Sequence, residues 1–172
     1  MEPSSQAGLP IRTDAGGSGS RTDIRLGSSP RRSFGRRVTP AESVVDASVA
    51  VRGLTGEDED AVALLLDIAA GRATGHAPDL LVPEVTNALY RYIGVRRTNL
   101  ADAQAFVEVV ASSSIQLHPS GDLASLALEV AVARDLSAYD AFYAVLAEAR
   151  DLPLLTADRR LAAAVAGSVL LG

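Results

Sequence analysis

The sequence predicts an α/β fold, a three-layer α/β/α sandwich around a short parallel sheet, over residues 41–172. Three observations carry this expectation. Short apolar runs of buried-strand length alternate with longer segments of helical period. The strand runs are Val- and Leu-rich, as parallel strands covered on both faces should be. The helical segments are long enough to serve as crossovers between parallel strands.

In chain order, Ser43-Val-Val-Asp-Ala47 is the first strand. A helix follows over Thr55 to Gly71, with Ala61, Leu64, Leu65 and Ile68 at helical spacing. Thr55 and Asp58 have the spacing of a capping box, and Gly71 suits the helix end. Pro83 to Val95 is the second helix, with proline in its first turn, and Asn99 to Ser112 is the third. Ile115 to Leu117 is a brief strand. Asp122 to Arg134 and Ala138 to Arg150 are two more helices. Leu152 to Thr156 is a strand, Asp158 to Ala166 a short helix and Ser168 to Leu171 the last strand. No internal repeat is visible.

Residues 1–40 differ. They are rich in Gly, Ser, Pro and Arg, and their apolar residues show no period, so this segment is expected to be a disordered extension or a misassigned start. Seven arginines against three acids give it a net +4, whereas residues 41–172 carry nine arginines and eighteen acids, a net −9. A basic arm of this kind suits nucleic acid. No apolar run approaches the roughly 18 residues of a membrane span, and the expected location is cytoplasmic.

Composition excludes several chemistries. The absence of cysteine removes disulfides, thiolate catalysis and cysteine zinc sites. Lysine is also absent, which rules out a P-loop NTPase. His76 and His118 lack metal-ligand spacing and read as structural. A bound metal would therefore be held by oxygen and be hard, Mg²⁺ or Mn²⁺.

Four acids stand out. Asp46 ends the first strand, where open α/β sheets expose their ligand crevice, and Ser48 is placed to support it. Glu84 opens the second helix and shares a face with Asn87 and Arg91 at i+3 and i+7. Asp140 and Asp158 lie at helix starts, where each also has a capping role open to it. Thr156 stands to Asp158 as Ser48 stands to Asp46. Clustered carboxylates repel one another unless a cation neutralises them, and a carboxylate-bound metal can activate water and shield a phosphate. Arg91, Arg96, Arg97, Arg159 and Arg160 are candidates for substrate or partner contact. Tyr139, Phe142 and Tyr143 read as core.

Val44-Val-Asp46-Ala-Ser48, Pro83-Glu84-Val-Thr-Asn87-Ala-Leu89, Ser137-Ala-Tyr-Asp140-Ala-Phe-Tyr143 and Leu155-Thr156-Ala-Asp158-Arg159 together resemble the successive motifs of PIN-domain ribonucleases, above all the VapC-type toxins of toxin–antitoxin pairs. The resemblance covers about residues 43–172. It implies a Mg²⁺- or Mn²⁺-dependent endoribonuclease acting on tRNA or rRNA, a homodimer and a cognate antitoxin. It makes Asp46 and Asp140 the principal metal ligands, completed by Glu84 and Asp158, with Ser48, Asn87 and Thr156 in support. The alternative is a non-catalytic RNA- or protein-binding module on the same fold. Receiver domains need a lysine this chain lacks, and haloacid-dehalogenase-like phosphatases need an acid where Ser48 stands.

Overall fold

The structure is a computed structural model, and it describes residues 40–172. The expected disordered extension falls, but for Pro40, outside the described residues. The elements run β1 (Glu42–Val45), α1 (Ala47–Thr55), α2 (Glu59–Ala69), β2 (Thr74–Pro78), α3 (Leu81–Gly94), α4 (Leu100–Ala111), β3 (Gln116–His118), α5 (Ala124–Arg134), α6 (Ala138–Arg150), β4 (Leu154–Thr156), α7 (Arg159–Ala164) and β5 (Val169–Leu170). A 3₁₀ turn, Ser120–Asp122, precedes α5. The α/β class is therefore as expected.

All five strands are parallel, in the order β3-β2-β1-β4-β5. The chain starts in the centre, moves outward through β2 and β3, then returns to the other side of β1. The direction of winding thus reverses between β1 and β4, which makes their carboxyl ends the topological switch point where such sheets bind ligands. Val44, Val45 and Leu154 are fully buried there, and α6 packs across β1, β2 and β4.

The structure corrects the sequence reading in two places. Residues Ala47–Thr55 form a helix that periodicity does not reveal. The segment ASVAVRGLT mixes β-branched residues and a glycine, both poor helix formers, yet it buries Val49, Ala50 and Val51 completely or nearly so. Gly53 is needed there because a Cβ would lie 2.6 Å from Leu65 and 2.9 Å from the Ala61 carbonyl, where α1 crosses α2. Strand β2 is the second correction, since the sequence reading places no element over TGHAP, whose glycine and proline disfavour a strand. Its Gly75 admits Ile68 and Ile115, which approach the position of an absent Cβ to 2.8 and 3.2 Å.

Capping follows suit. Asp58 alone caps α2, accepting from the Ala61 N–H at 2.8 Å. Thr55 instead ends α1 and bonds back to the Val51 carbonyl, so the expected Thr55–Asp58 box does not form. Asn99 and Ser137 cap α4 and α6.

The two histidines are structural, and they are joined. His76 is 1% exposed. Its Nε2 lies 2.7 Å from Glu42, its Nδ1 lies 3.0 Å from His118 Nε2, and Arg150 sits 3.2 Å from His118 Nδ1. Arginine can only donate, so His118 Nδ1 accepts. The His118 proton is then on Nε2 and is given to His76, whose own proton on Nε2 goes to Glu42. In this chain of bonds a further proton on His118 Nδ1 would break the link to Arg150. Burial, with Arg150 and His76 adding to it, holds the His118 pKa below its ordinary value. A depressed histidine stabilises the fold above the unfolded value, about pH 6.5, and that contribution is lost as pH falls through the folded value. Thermal unfolding of the native chain is expected to drop below about pH 6.5 more steeply than that of His118→Gln. Parallel curves for the two proteins would refute the assignment.

Candidate active site

Four elements bring the acids together. Asp46 follows β1 and is the N-cap residue of α1, with its extended backbone but no capping bond from its side chain. Its carboxylate is free to face the switch point because Ser48 and Thr156 hold it there. Ser48 Oγ donates to Oδ2 at 2.5 Å and Thr156 Oγ1 donates to the same oxygen at 2.7 Å. Ser48 in turn accepts from the Ala157 N–H, and Thr156 from the Asp158 N–H, which ties α1 to the end of β4. Ser48 supports Asp46 as the sequence suggests, whereas Thr156, expected as the hydroxyl partner of Asp158, donates to Asp46 and meets Asp158 only through its backbone N–H.

Glu84 lies in the first turn of α3. Its Oε2 accepts from the Tyr143 hydroxyl at 2.6 Å. Tyr143 is fully buried, so the core reading holds for its ring and misses its hydroxyl. The only sequence signal is spacing: Tyr143 follows Asp140 by three residues, on the same face of α6. Asp140 lies in the first turn of α6, and its N–H donates to Ser137 at 3.0 Å. Asp158 caps α7, with Oδ1 accepting from the Arg160 and Leu161 N–H groups at 2.7 and 3.1 Å. The capping roles of Ser137 and Asp158 are thus real.

Asp46, Glu84, Asp140 and Asp158 line one pocket of about 400 Å³, together with Ser48, Asn87 and Arg91. Glu84, Asn87 and Arg91 do share one helix face. Arg96, Arg97, Arg159 and Arg160 do not line the pocket. Arg97 is 3.6 Å from Glu57, and Arg160 is 2.6 Å from Asp135. Arg52 and Tyr92, which the sequence does not single out, do line it.

The electrostatics are those of an acid cluster short of positive charge. Burial pushes the Asp46 carboxyl above its ordinary pKa, against the two hydroxyls, and the Asp140 charge pushes it further. Burial also raises Glu84, opposed by Tyr143 and reinforced by Asp46 and Asp140. The Tyr143 phenol is itself raised by burial and by Glu84, so it stays a donor.

A family model described as PIN domain matches residues 43–167. The chain belongs to the PIN-domain family. Ribonuclease VapC1 of Mycobacterium tuberculosis (strain ATCC 25618 / H37Rv) is 35% identical over 126 residues, which is 72% of this chain and 90% of the relative. Ribonuclease VapC9 of the same strain is 36% identical over 118 residues, covering 69% and 87%. Among solved structures, the crystal structure of PAE2754 from Pyrobaculum aerophilum superposes with a TM-score of 0.60 at 30% identity, covering 75% of this chain and 90% of that one. The resemblance to VapC-type PIN toxins drawn from the four motifs is borne out.

Membership of the PIN family implies dependence on a divalent metal ion. The donor set of this PIN domain fits such an ion. The Asp46 and Glu84 carboxyls are both held above their ordinary range, chiefly by burial and further by neighbouring carboxylate charge, and the metal donors these acids offer are oxygens. The pocket is not a preformed cage: among the described residues no three acids or histidines converge closely enough to hold a metal by themselves. That suits a hard cation which keeps several waters and takes one or two carboxylates.

Proposed function

We propose that this PIN domain is the endoribonuclease of a toxin–antitoxin pair, hydrolysing RNA phosphodiester bonds with Mg²⁺ or Mn²⁺ held by Asp46 and Asp140, and with Glu84 and Asp158 completing the site. The observation that carries the reading is the single pocket shared by the four acids at the switch point of the sheet. When bound, the ion would supply charge to shield the scissile phosphate and acidify a water. The chain's own residues do the rest. Ser48 and Thr156 fix the Asp46 carboxylate through its Oδ2. Tyr143 does the same for Glu84. Asp158 has its Oδ1 committed to two backbone N–H groups, which leaves Oδ2 for water or substrate.

Structured RNA such as tRNA or rRNA is the proposed substrate, a cognate antitoxin the inhibitor and a homodimer the working assembly; the ribonuclease names of the relatives support RNA as the substrate. Among the described residues no helix is long and apolar enough to cross a membrane. The test is cleavage of total RNA by the purified chain with Mg²⁺, with Mn²⁺ and with EDTA. Cleavage with either metal, none with EDTA and none by Asp140→Asn is expected. Undiminished cleavage by Asp140→Asn would refute the assignment, and a pattern of cut ends confined to one RNA class would name the substrate.

A further inference from the structure

A nuclease pocket floored by carboxylates must still attract a polyanion, and residues 41–172 carry a net −9. The structure sorts the arginines sharply. Arg72, Arg97, Arg134 and Arg160 are paired with Asp67, Glu57, Glu148 and Asp135. Arg150 is bound to His118. Among the described residues only Arg52, near the end of α1, and Arg91, on α3, bring positive charge to the acidic pocket, and neither makes an ion pair with a described residue. The two helices pack side by side, so the pocket is a groove with one cation on each wall.

Tyr92 borders the same groove. It is half-buried, the Arg97 guanidinium lies 5.0 Å from its ring centroid, and its hydroxyl donates to Glu57 at 3.2 Å. These interactions hold the ring still. A fixed aromatic ring bordering a groove that also carries two cations suits an unpaired nucleotide, whose base stacks while its neighbouring phosphates are neutralised.

We propose that the groove between α1 and α3 takes an unpaired RNA strand, with phosphates on Arg52 and Arg91 and a base against Tyr92. This rests on the ribonuclease reading, since it names how that site engages its substrate. The probe is a short fluorescein-labelled single-stranded RNA of mixed sequence. Its binding to the full chain is followed by anisotropy in EDTA over a series of salt concentrations. The double variant Arg52→Ala/Arg91→Ala is expected to flatten the slope of log affinity against log salt by about 1.4, at about 0.7 for each phosphate no longer neutralised. Arg52→Lys/Arg91→Lys keeps the charges and should keep the slope, which separates an effect of charge from an effect of misfolding. Arg96→Ala/Arg160→Ala should leave the slope unchanged. Tyr92→Ala should weaken binding about tenfold and Tyr92→Phe hardly at all.

An unchanged slope in the first pair overturns the proposal, as does an equal flattening in the Arg96/Arg160 pair or no binding by the native chain. Loss of antitoxin binding with an intact RNA slope also overturns it, and assigns the cations to a protein partner. Binding in EDTA does not depend on catalysis. A native chain that binds as expected but never cleaves with metal retires the nuclease reading and not the groove.

Discussion

Replacing Asp46 by asparagine is expected to abolish metal-dependent RNA cleavage and, at the same time, to raise the melting temperature of the metal-free protein. Losing an outer partner of a metal ligand typically costs about 10–100-fold in affinity or activity, so losing a principal ligand should cost at least about 100-fold. The gain in stability follows from the sign of the pKa shift. Burial raises the Asp46 carboxyl, and Asp140 raises it further. Below the unfolded value both states are protonated. As pH rises past it the unfolded chain ionises first, so the folded state loses stability through the folded value. Asparagine has no charge to bury and can still accept from Ser48 and Thr156 through its carbonyl oxygen. Calorimetry of both proteins in EDTA at pH 5 and pH 8 checks this: the stability advantage of Asp46→Asn should be larger at pH 8. A variant that is inactive because it is less stable at both pH values would contradict the account.

Tyr143→Phe should fold and bind divalent metal about 10–100-fold more weakly. The ring stays in the core, so packing is preserved, but Glu84 loses the donor that holds Oε2. The same bond lowers the Glu84 carboxyl against the upward push of burial. Without it the carboxylate ionises less readily, and metal binding should begin at higher pH than in the native chain. Isothermal titration with Mn²⁺ across pH 6–8 reads both effects without relying on cleavage. Native affinity in Tyr143→Phe would make the tyrosine a core residue and nothing more.

The site is more legible in the sequence than parts of the fold are. Asp46, Glu84, Asp140 and Asp158 can be picked out because each breaks a local pattern: a charge after an apolar strand, or an acid at a helix start. Their convergence follows from parallel topology, which places strand ends on one edge. Helix α1 and strand β2 are not legible, because tertiary packing overrides propensity in both. Gly53 and Gly75 look like helix and strand breakers until the side chains that need their space are seen. The Tyr143–Glu84 bond spans 59 residues, and the histidine pair 42, separations at which no local spacing rule operates. Arg52 is hidden because the helix carrying it is.

The bond between Thr156 and Asp46 joins residues 110 apart. The ribosome adds about 5–20 residues per second, so on the order of 6–20 seconds separate the synthesis of the two. Until β4 emerges, β1 lacks one of its two neighbours and Asp46 lacks a hydroxyl that aims it. A nascent or prematurely released chain ending before Thr156 carries three of the four acids without the frame that makes them a site. If the four acids act as proposed, such an unfinished copy is expected not to cleave RNA.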